Sequence, residues 1–169
     1  MSESQKISVR PMKKGEGEAI VKIHRRAVHE IACVDYPSEV LNGWAETLSD
    51  ETLKAKASKF DDKLGKGVFT IVAEVDGALA GFGEVIPKIN VLGAIYINPD
   101  FKRIGVGTAI LSELENIARA HGATDLHMDS SLTAEQFYLM NGYEVIERGI
   151  HTLNSGVKMP CVKMKKKIG

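Results

Sequence analysis

The sequence predicts a mixed α/β layering in one domain, and three observations carry that expectation. Strand-like and helix-like segments follow one another as strand, two helices, three strands, helix, strand, helix and two strands. Asp76-Gly77 joins two strand-like runs as a tight hairpin would, because both residues tolerate positive φ. A later apolar run, stopped by Pro99 and Asp100, passes through Gly105 and Gly107 straight into an amphipathic helix.

The elements can be justified in order. Ile7-Ser8-Val9-Arg10 alternates apolar and polar as a half-buried first strand does, and Pro11 ends it. Ile20, Ile23, Ala27 and Ile31 recur at steps of three and four, the stripe of a helix whose Lys22, Arg25, Arg26 and Glu30 fall elsewhere on the surface. His24 and His29 are five residues apart, so they do not share a face as a metal pair would and read as surface or partly buried side chains. Asp35, Pro37 and Ser38 break that helix and lead into a segment with Val40, Leu41 and Trp44, the single tryptophan, which suits core packing or the wall of a substrate pocket. From Ser49 a lysine-rich helix runs through Lys66 with Leu53, Ala57 and Phe60 inward.

Val68–Val75 and Ala78–Ile86 are the arms of the hairpin. Gly81 and Gly83 in its second arm signal a bulge, a bend or a close ligand approach, and Glu84 after them is either a partly buried carboxylate or an exposed edge residue. A fourth strand covers Val91–Ile97. Beyond the glycines, Ile110, Leu114, Ile117 and Ala118 form the inward stripe of a helix closed by His121-Gly122. Asp125–Ser130 reads as a fifth strand, Leu126 and Met128 on one face and His127 and Asp129 on the other. Thr133-Ala134-Glu135-Gln136 has the capping-box pattern of a short helix through Met140, which Asn141-Gly142 ends. Tyr143–Glu147 is a sixth strand and Val157–Met164 the last, before a lysine run read as a solvated tail.

Composition narrows the function classes. The 169 residues can bury a full core without staples. Lys plus Arg equals Asp plus Glu at 22 each, so no net field recommends nucleic acid or an anionic membrane as partner. No apolar run reaches the ~20 residues of a membrane span and MSESQK lacks the apolar core of a signal peptide, so a cytoplasmic protein is expected. Cys33 and Cys161 are too few and isolated for a disulfide framework or a metal site and read as buried apolar thiols.

The glycine stretch outlines an anion site. The first turn of a helix has amides without intrahelical partners at the positive end of the macrodipole, and Lys102 and Arg103 add charge just upstream. Lys102-Arg103-Ile104-Gly105-Val106-Gly107 resembles the loop pattern of the GNAT superfamily of acyl-CoA-dependent N-acyltransferases: Gln or Arg, two residues, Gly, one residue, Gly or Ala. One helix and one strand later, Ala134 to Tyr143 resembles the same family's A-x-x-F/L-Y-x-x-x-G-F/Y segment.

That resemblance implies a mostly antiparallel sheet of about seven strands flanked by about four helices, splayed between the fourth and fifth strands. It implies N-acetyl transfer from acetyl-CoA to a primary amine of a small molecule or peptide, by direct attack in a ternary complex. Backbone groups of Tyr96 and Ile97 would bind the pantetheine arm, and the amides of Arg103, Ile104, Gly105, Val106, Gly107 and Thr108 the pyrophosphate, with Lys102 retaining the charge of the first motif position. Tyr138 matches the family's general acid. Two departures stand out: Ser131 where many relatives have asparagine, and Val91 where many carry a glutamate base. Glu84 is then the leading base, with Asp129, His127 and solvent as alternates. Neither cysteine is required as a nucleophile.

The acceptor is unnamed by the sequence. Trp44, His29, Tyr36, His151 and Met159 fall in the segments that would line its pocket without forming a signature. Small amines, amino acids or a peptide terminus fit the neutral charge, and a homodimer is admissible. Two rivals are a non-catalytic acyl-CoA-binding sensor, which would need neither Tyr138 nor a base, and a nucleotide-binding protein, for which the full G-x-x-x-x-G-K-S/T pattern is missing.

Overall fold

A computed structural model describes residues 4–169. Seven strands, β1 (Ile7–Pro11), β2 (Phe69–Val75), β3 (Ala78–Ile86), β4 (Val91–Ile97), β5 (Asp125–Ser131), β6 (Glu144–Thr152) and β7 (Lys158–Lys167), form one sheet in the order β1-β2-β3-β4-β5-β7-β6. Every neighbouring pair is antiparallel except β4 and β5, which run parallel. The helices are α1 (Gly17–Glu30), α2 (Ser38–Trp44), α3 (Asp50–Lys63), α4 (Val106–Ala120) and α5 (Glu135–Met140). The mixed sheet and its splay match the expected class. Among the described residues there are five α-helices, because the Val40-Leu41-Trp44 segment is a helix in its own right, one more than the order read from sequence.

Helix α4 covers one face of the sheet and α1 with α3 the other. Ile110, Leu111, Leu114 and Ala118 of α4 pack into the largest apolar cluster with Ile71, Val85, Leu126 and Met164 from four strands. That contact is why β3 carries glycines. A Cβ at Gly83 would lie 2.7 Å from Ile110 Cγ2 and 2.8 Å from Leu114 Cδ1, so the close approach is made by α4 and not by a ligand. On the opposite face Ile20, Ile23, Val72 and Phe82 form a second cluster. A third, of Val28, Tyr36, Val40, Leu41, Leu153 and Met159, joins α2 to the turn between β6 and β7.

Several local readings change in three dimensions. The lysine run is part of β7, where Lys166 Nζ donates to Glu115 Oε1 at 3.0 Å and Oε2 at 3.1 Å, over the ring of Tyr143. Glu115 is buried in the middle of α4, so that ammonium and the Tyr143 hydroxyl, 3.1 Å away, satisfy a carboxylate that would otherwise be costly to bury. Cys161 is buried, but Cys33 is exposed in the turn after α1. The capping box does not form: α5 starts at Glu135 behind Ala134, and Ser131 Oγ accepts the Ala134 N–H at 3.1 Å. Among the described residues no helix is long and apolar enough to cross a membrane.

Candidate functional site

The parallel junction of β4 and β5 organises the site. The two strands share a single paired position, Val91 with His127, and His127 N–H donates to Asn90 O at 2.9 Å. Asn90 sits at φ +57°, the left-handed turn that aims its carbonyl at β5. Beyond that point the strands separate, and the facing edges of β4 and β5 hold backbone groups with no ladder partner in each other. A cleft of about 1210 Å3 follows the gap, larger than the roughly 300–1,000 Å3 of pockets for compact ligands. It has room for an extended ligand or for two.

One end of the cleft is the start of α4. Gly105, at φ +97°, precedes the helix, and the first helical bond runs from Ala109 N–H to Gly105 O at 3.1 Å. The amides of Val106, Gly107 and Thr108 therefore have no partner within α4 and lie at its positive end. Lys102, Arg103, Gly105, Val106, Gly107 and Thr108 all line the cleft, whereas Ile104 points away and is 39% exposed. The turn that delivers this loop is braced by a side chain that sequence reasoning left on the outer surface. Arg26 of α1 donates to Asn98 Oδ1 at 3.1 Å and to both oxygens of Asp100 at 3.0 and 3.1 Å, and its Nε bonds Glu30 at 2.7 Å. The guanidinium holds both carboxyls below the usual carboxylate range.

The middle of the cleft brings the two motifs into contact. A Cβ on Gly107 would sit 3.3 Å from the Phe137 ring, so α5 rests directly against the first turn of α4. Tyr138 follows on α5, 5% exposed, with its ring edge-on to Phe137 and Tyr143, and it lines the cleft. Burial raises its phenol well above the ordinary value, with the neighbouring Tyr96 adding to the shift. Tyr96 and Ile97 line the opposite wall. Ser131 lines it too, its hydroxyl spent as an acceptor for Ala134 N–H and left free to donate. Close by, the buried hydroxyl of Thr133 has no hydrogen-bond partner.

The far end is made from α2, the turn after α1 and the tips of β6 and β7. Trp44 Nε1–H donates to the Tyr96 hydroxyl at 3.1 Å, and burial pushes that phenol up to about 12. His24 packs edge-on to Tyr96 with ring centroids 4.5 Å apart, and its burial lowers it to about 4, a neutral imidazole under the wall. Trp44 thus packs against the apolar cluster and also faces the cleft. Tyr36 and His29 serve as anchors and do not line the cleft. The Tyr36 hydroxyl donates to Pro160 O at 2.6 Å and accepts from Leu132 N–H at 2.8 Å, while His29 Nε2 lies 2.6 Å from Ala45 O. Asp129, His151, Met159 and Cys161 complete this end.

Glu84, the leading base in sequence, is not in the lining. It projects from β3 toward α3, where Lys63 Nζ donates to its two oxygens at 3.0 and 3.3 Å and Thr70 Oγ1 donates at 3.3 Å. The gap in the sheet, not the β3–β4 pair, holds the cleft, and one-dimensional order cannot tell which face Glu84 takes.

A splayed mixed sheet with free helix-start amides at the mouth of its gap is the architecture of the site. The model of the acetyltransferase (GNAT) domain matches residues 33–168, and the chain belongs to that family of acetyltransferases. It is similar to a GCN5-related N-acetyltransferase from Rhodopseudomonas palustris, with 25% identity, 99% of each chain covered and a TM-score of 0.84. It shares its fold with the PaiA N-acetyltransferase of Thermoplasma acidophilum, solved in complex with coenzyme A, at 21% identity over 96% of this chain and 99% of that one, TM-score 0.71. The fold also recurs in a phosphinothricin acetyltransferase from Sinorhizobium meliloti in complex with acetyl-CoA, at 20% identity over 96% of this chain and 89% of that one, TM-score 0.72. A comparison with curated proteins finds no match.

Proposed function

We propose that the protein moves an acetyl group from acetyl-CoA to a primary amine of a small molecule or peptide, by direct attack with both substrates bound, residues 1–169 acting as one acyltransferase domain. The observation that carries this reading is the run of free amides at Val106, Gly107 and Thr108 beside Lys102 and Arg103, at the mouth of a sheet gap that exposes unpaired β4 backbone. A pyrophosphate suits the first and the amides of a pantetheine arm suit the second. The unpartnered Thr133 hydroxyl and the free hydrogen of Ser131 add two side-chain contacts of the right polarity on the β5 side.

Each group has a defined task. The loop amides, Lys102 and Arg103 take the phosphates, which fixes the thioester in the gap. The backbone of Ile97 faces the gap and holds the arm, stabilising charge that develops on the carbonyl oxygen, whereas the backbone of Tyr96, expected from sequence to share that task, is taken by the ladder with Phe82 of β3. Tyr138, a neutral phenol on the cleft wall, supplies a proton to the departing thiolate. Cys161 is not in the path, because burial, with Asp129 adding to it, raises its thiol above the ordinary value and leaves it a poor nucleophile.

Acetyl-CoA titrated calorimetrically beside ATP, followed by thiol release across a panel of primary amines, amino acids and peptides, tests the reading. Binding of acetyl-CoA alone with release by at least one amine is expected. Binding without release by any amine would favour a sensor, and binding of ATP alone would overturn the proposal. Within an active enzyme, Tyr138→Phe should leave acetyl-CoA affinity intact and lower kcat about 100-fold. Unchanged kcat would remove Tyr138 from the acid role.

A further inference from the structure

With Glu84 tied to Lys63 and Thr70 outside the cleft, the proton of a charged amine needs another acceptor. The far end of the cleft contains one. On β5, Asp129 pairs in register with Lys163 of β7, and on β6, His151 pairs with Met159 of β7. Both side chains stand on the face that carries Cys161, and they cross over β7 to meet, His151 Nδ1 lying 3.3 Å from Asp129 Oδ2. Two strands that flank a common neighbour are about 10 Å apart, so the two side chains meet by leaning toward each other across β7. Both line the cleft, with the apolar side chains of Trp44, Leu153 and Met159 near them.

We propose that His151, oriented by Asp129, is the group that takes the proton from the acceptor ammonium, and that this end of the cleft receives a primary amine carried on an apolar body. The inference rests on the acetyltransferase reading above.

The chemistry follows from the donor inventory. A carboxylate only accepts, so its contact at Nδ1 favours the tautomer with hydrogen on Nδ1, and the Nε2 lone pair is left for the cleft. The ammonium gives one proton to Nε2, and the neutral amine forms the C–N bond to the thioester carbon. As the C–S bond breaks, the thiolate takes a proton from Tyr138, and the phenol is restored by the second proton shed from nitrogen. One proton remains on His151 and passes to solvent, since its side chain is 50% exposed. The other charged or titratable groups on this face are Asp125 and His127 of β5, Cys161, Lys163, Lys165 and Lys167 of β7, and Glu144 and Glu147 of β6. Lys163 Nζ lies 3.7 Å from Glu147 Oε1, and His127 also lines the cleft, at the point where β4 and β5 close. Asp35 lines the cleft from the turn after α1 and adds negative charge favourable to an incoming ammonium.

The panel amine turned over fastest is the probe, with kcat/KM measured against pH alongside acetyl-CoA affinity and unfolding midpoint. His151→Gln should lower kcat/KM about 100-fold and erase the acid limb of the profile, with acetyl-CoA affinity within about twofold of the parent. Asp129→Asn, which leaves the imidazole without its carboxylate orienter, should lower it about tenfold in kcat with the amine KM little changed, and Asp129→Glu should restore it. Persistence of the acid limb in His151→Gln, with the amine still turned over, overturns the assignment while the acetyltransferase reading stands. Failure of acetyl-CoA to bind, or of every panel amine to release thiol, overturns both. If His151→Gln does not fold, the histidine Cε1–H titration followed by NMR in the unaltered protein decides: a His151 midpoint that differs from the acid limb overturns the role.

Discussion

The end of the cleft at the start of α4 is made of consecutive residues presenting main-chain amides, whereas the end between α2 and the tips of β6 and β7 is assembled from side chains distant in sequence and held by long-range bonds such as Tyr36 O–H to the backbone carbonyl of Pro160, 124 residues apart. The difference suits two ligands of different kinds. A phosphate needs only several N–H groups converging on one point, which any well-placed helix start offers whatever its side chains are. The amine acceptor proposed above would have to be distinguished by shape and by the groups that handle its proton, which calls for side chains brought together by register and packing. Variants at one end should therefore leave the other end's ligand untouched.

The largest effect expected at the far end comes from acid. His24, beneath Tyr96 and Trp44, is held near 4 by burial against an ordinary 6.5, with the charges of Lys56 and His29 adding to the shift. Between those values the unfolded chain binds a proton that the folded chain refuses, so stability is level above pH 6.5 and falls as pH drops toward 4, by about 3 kcal/mol in total. Urea denaturation followed by fluorescence of the single tryptophan, which lies at this end, measures it, and His24→Leu should flatten the dependence. An equal pH slope in His24→Leu would place the sensitivity elsewhere.

At the loop end, a side chain on Gly105 must adopt φ +97°, a strain of order 1–3 kcal/mol, so Gly105→Val should weaken acetyl-CoA roughly tenfold by calorimetry and leave the KM of the amine alone. Smallest is Trp44→Phe, which removes the hydrogen bond to Tyr96 and costs about 1 kcal/mol, read as a severalfold rise in the amine KM with unchanged acetyl-CoA affinity. A variant at either end that moved both affinities equally would break the division between them.

Legibility in the sequence follows the same division. The loop and the Phe137-Tyr138 segment were readable because each is contiguous, and the contact of Gly107 with Phe137 explains why they occur together. The tail lysines misled because a run of like charges is usually solvated, while Lys166 answers a carboxylate buried in α4 that no local pattern announces. Arg26 looked like any surface residue on α1 until its partners in the Asn98–Asp100 turn were known. Cys33 and Cys161 are equivalent as letters, yet one ends in an exposed turn and the other mid-strand between β5 and β6.

What the sequence alone determined are the features fixed within a few residues of themselves: strand alternation, helix stripes, the Asp76-Gly77 hairpin, the positive-φ glycine before α4 and the order in which these appear. Backbone geometry and the neighbours at three and four residues suffice to set them. The insertion of β7 between β5 and β6, the face on which Glu84 stands and the meeting of Asp129 with His151 were decided only by tertiary structure. Each depends on which strands lie side by side and in what register, and a shift of one residue would turn every one of those side chains to the other face of the sheet.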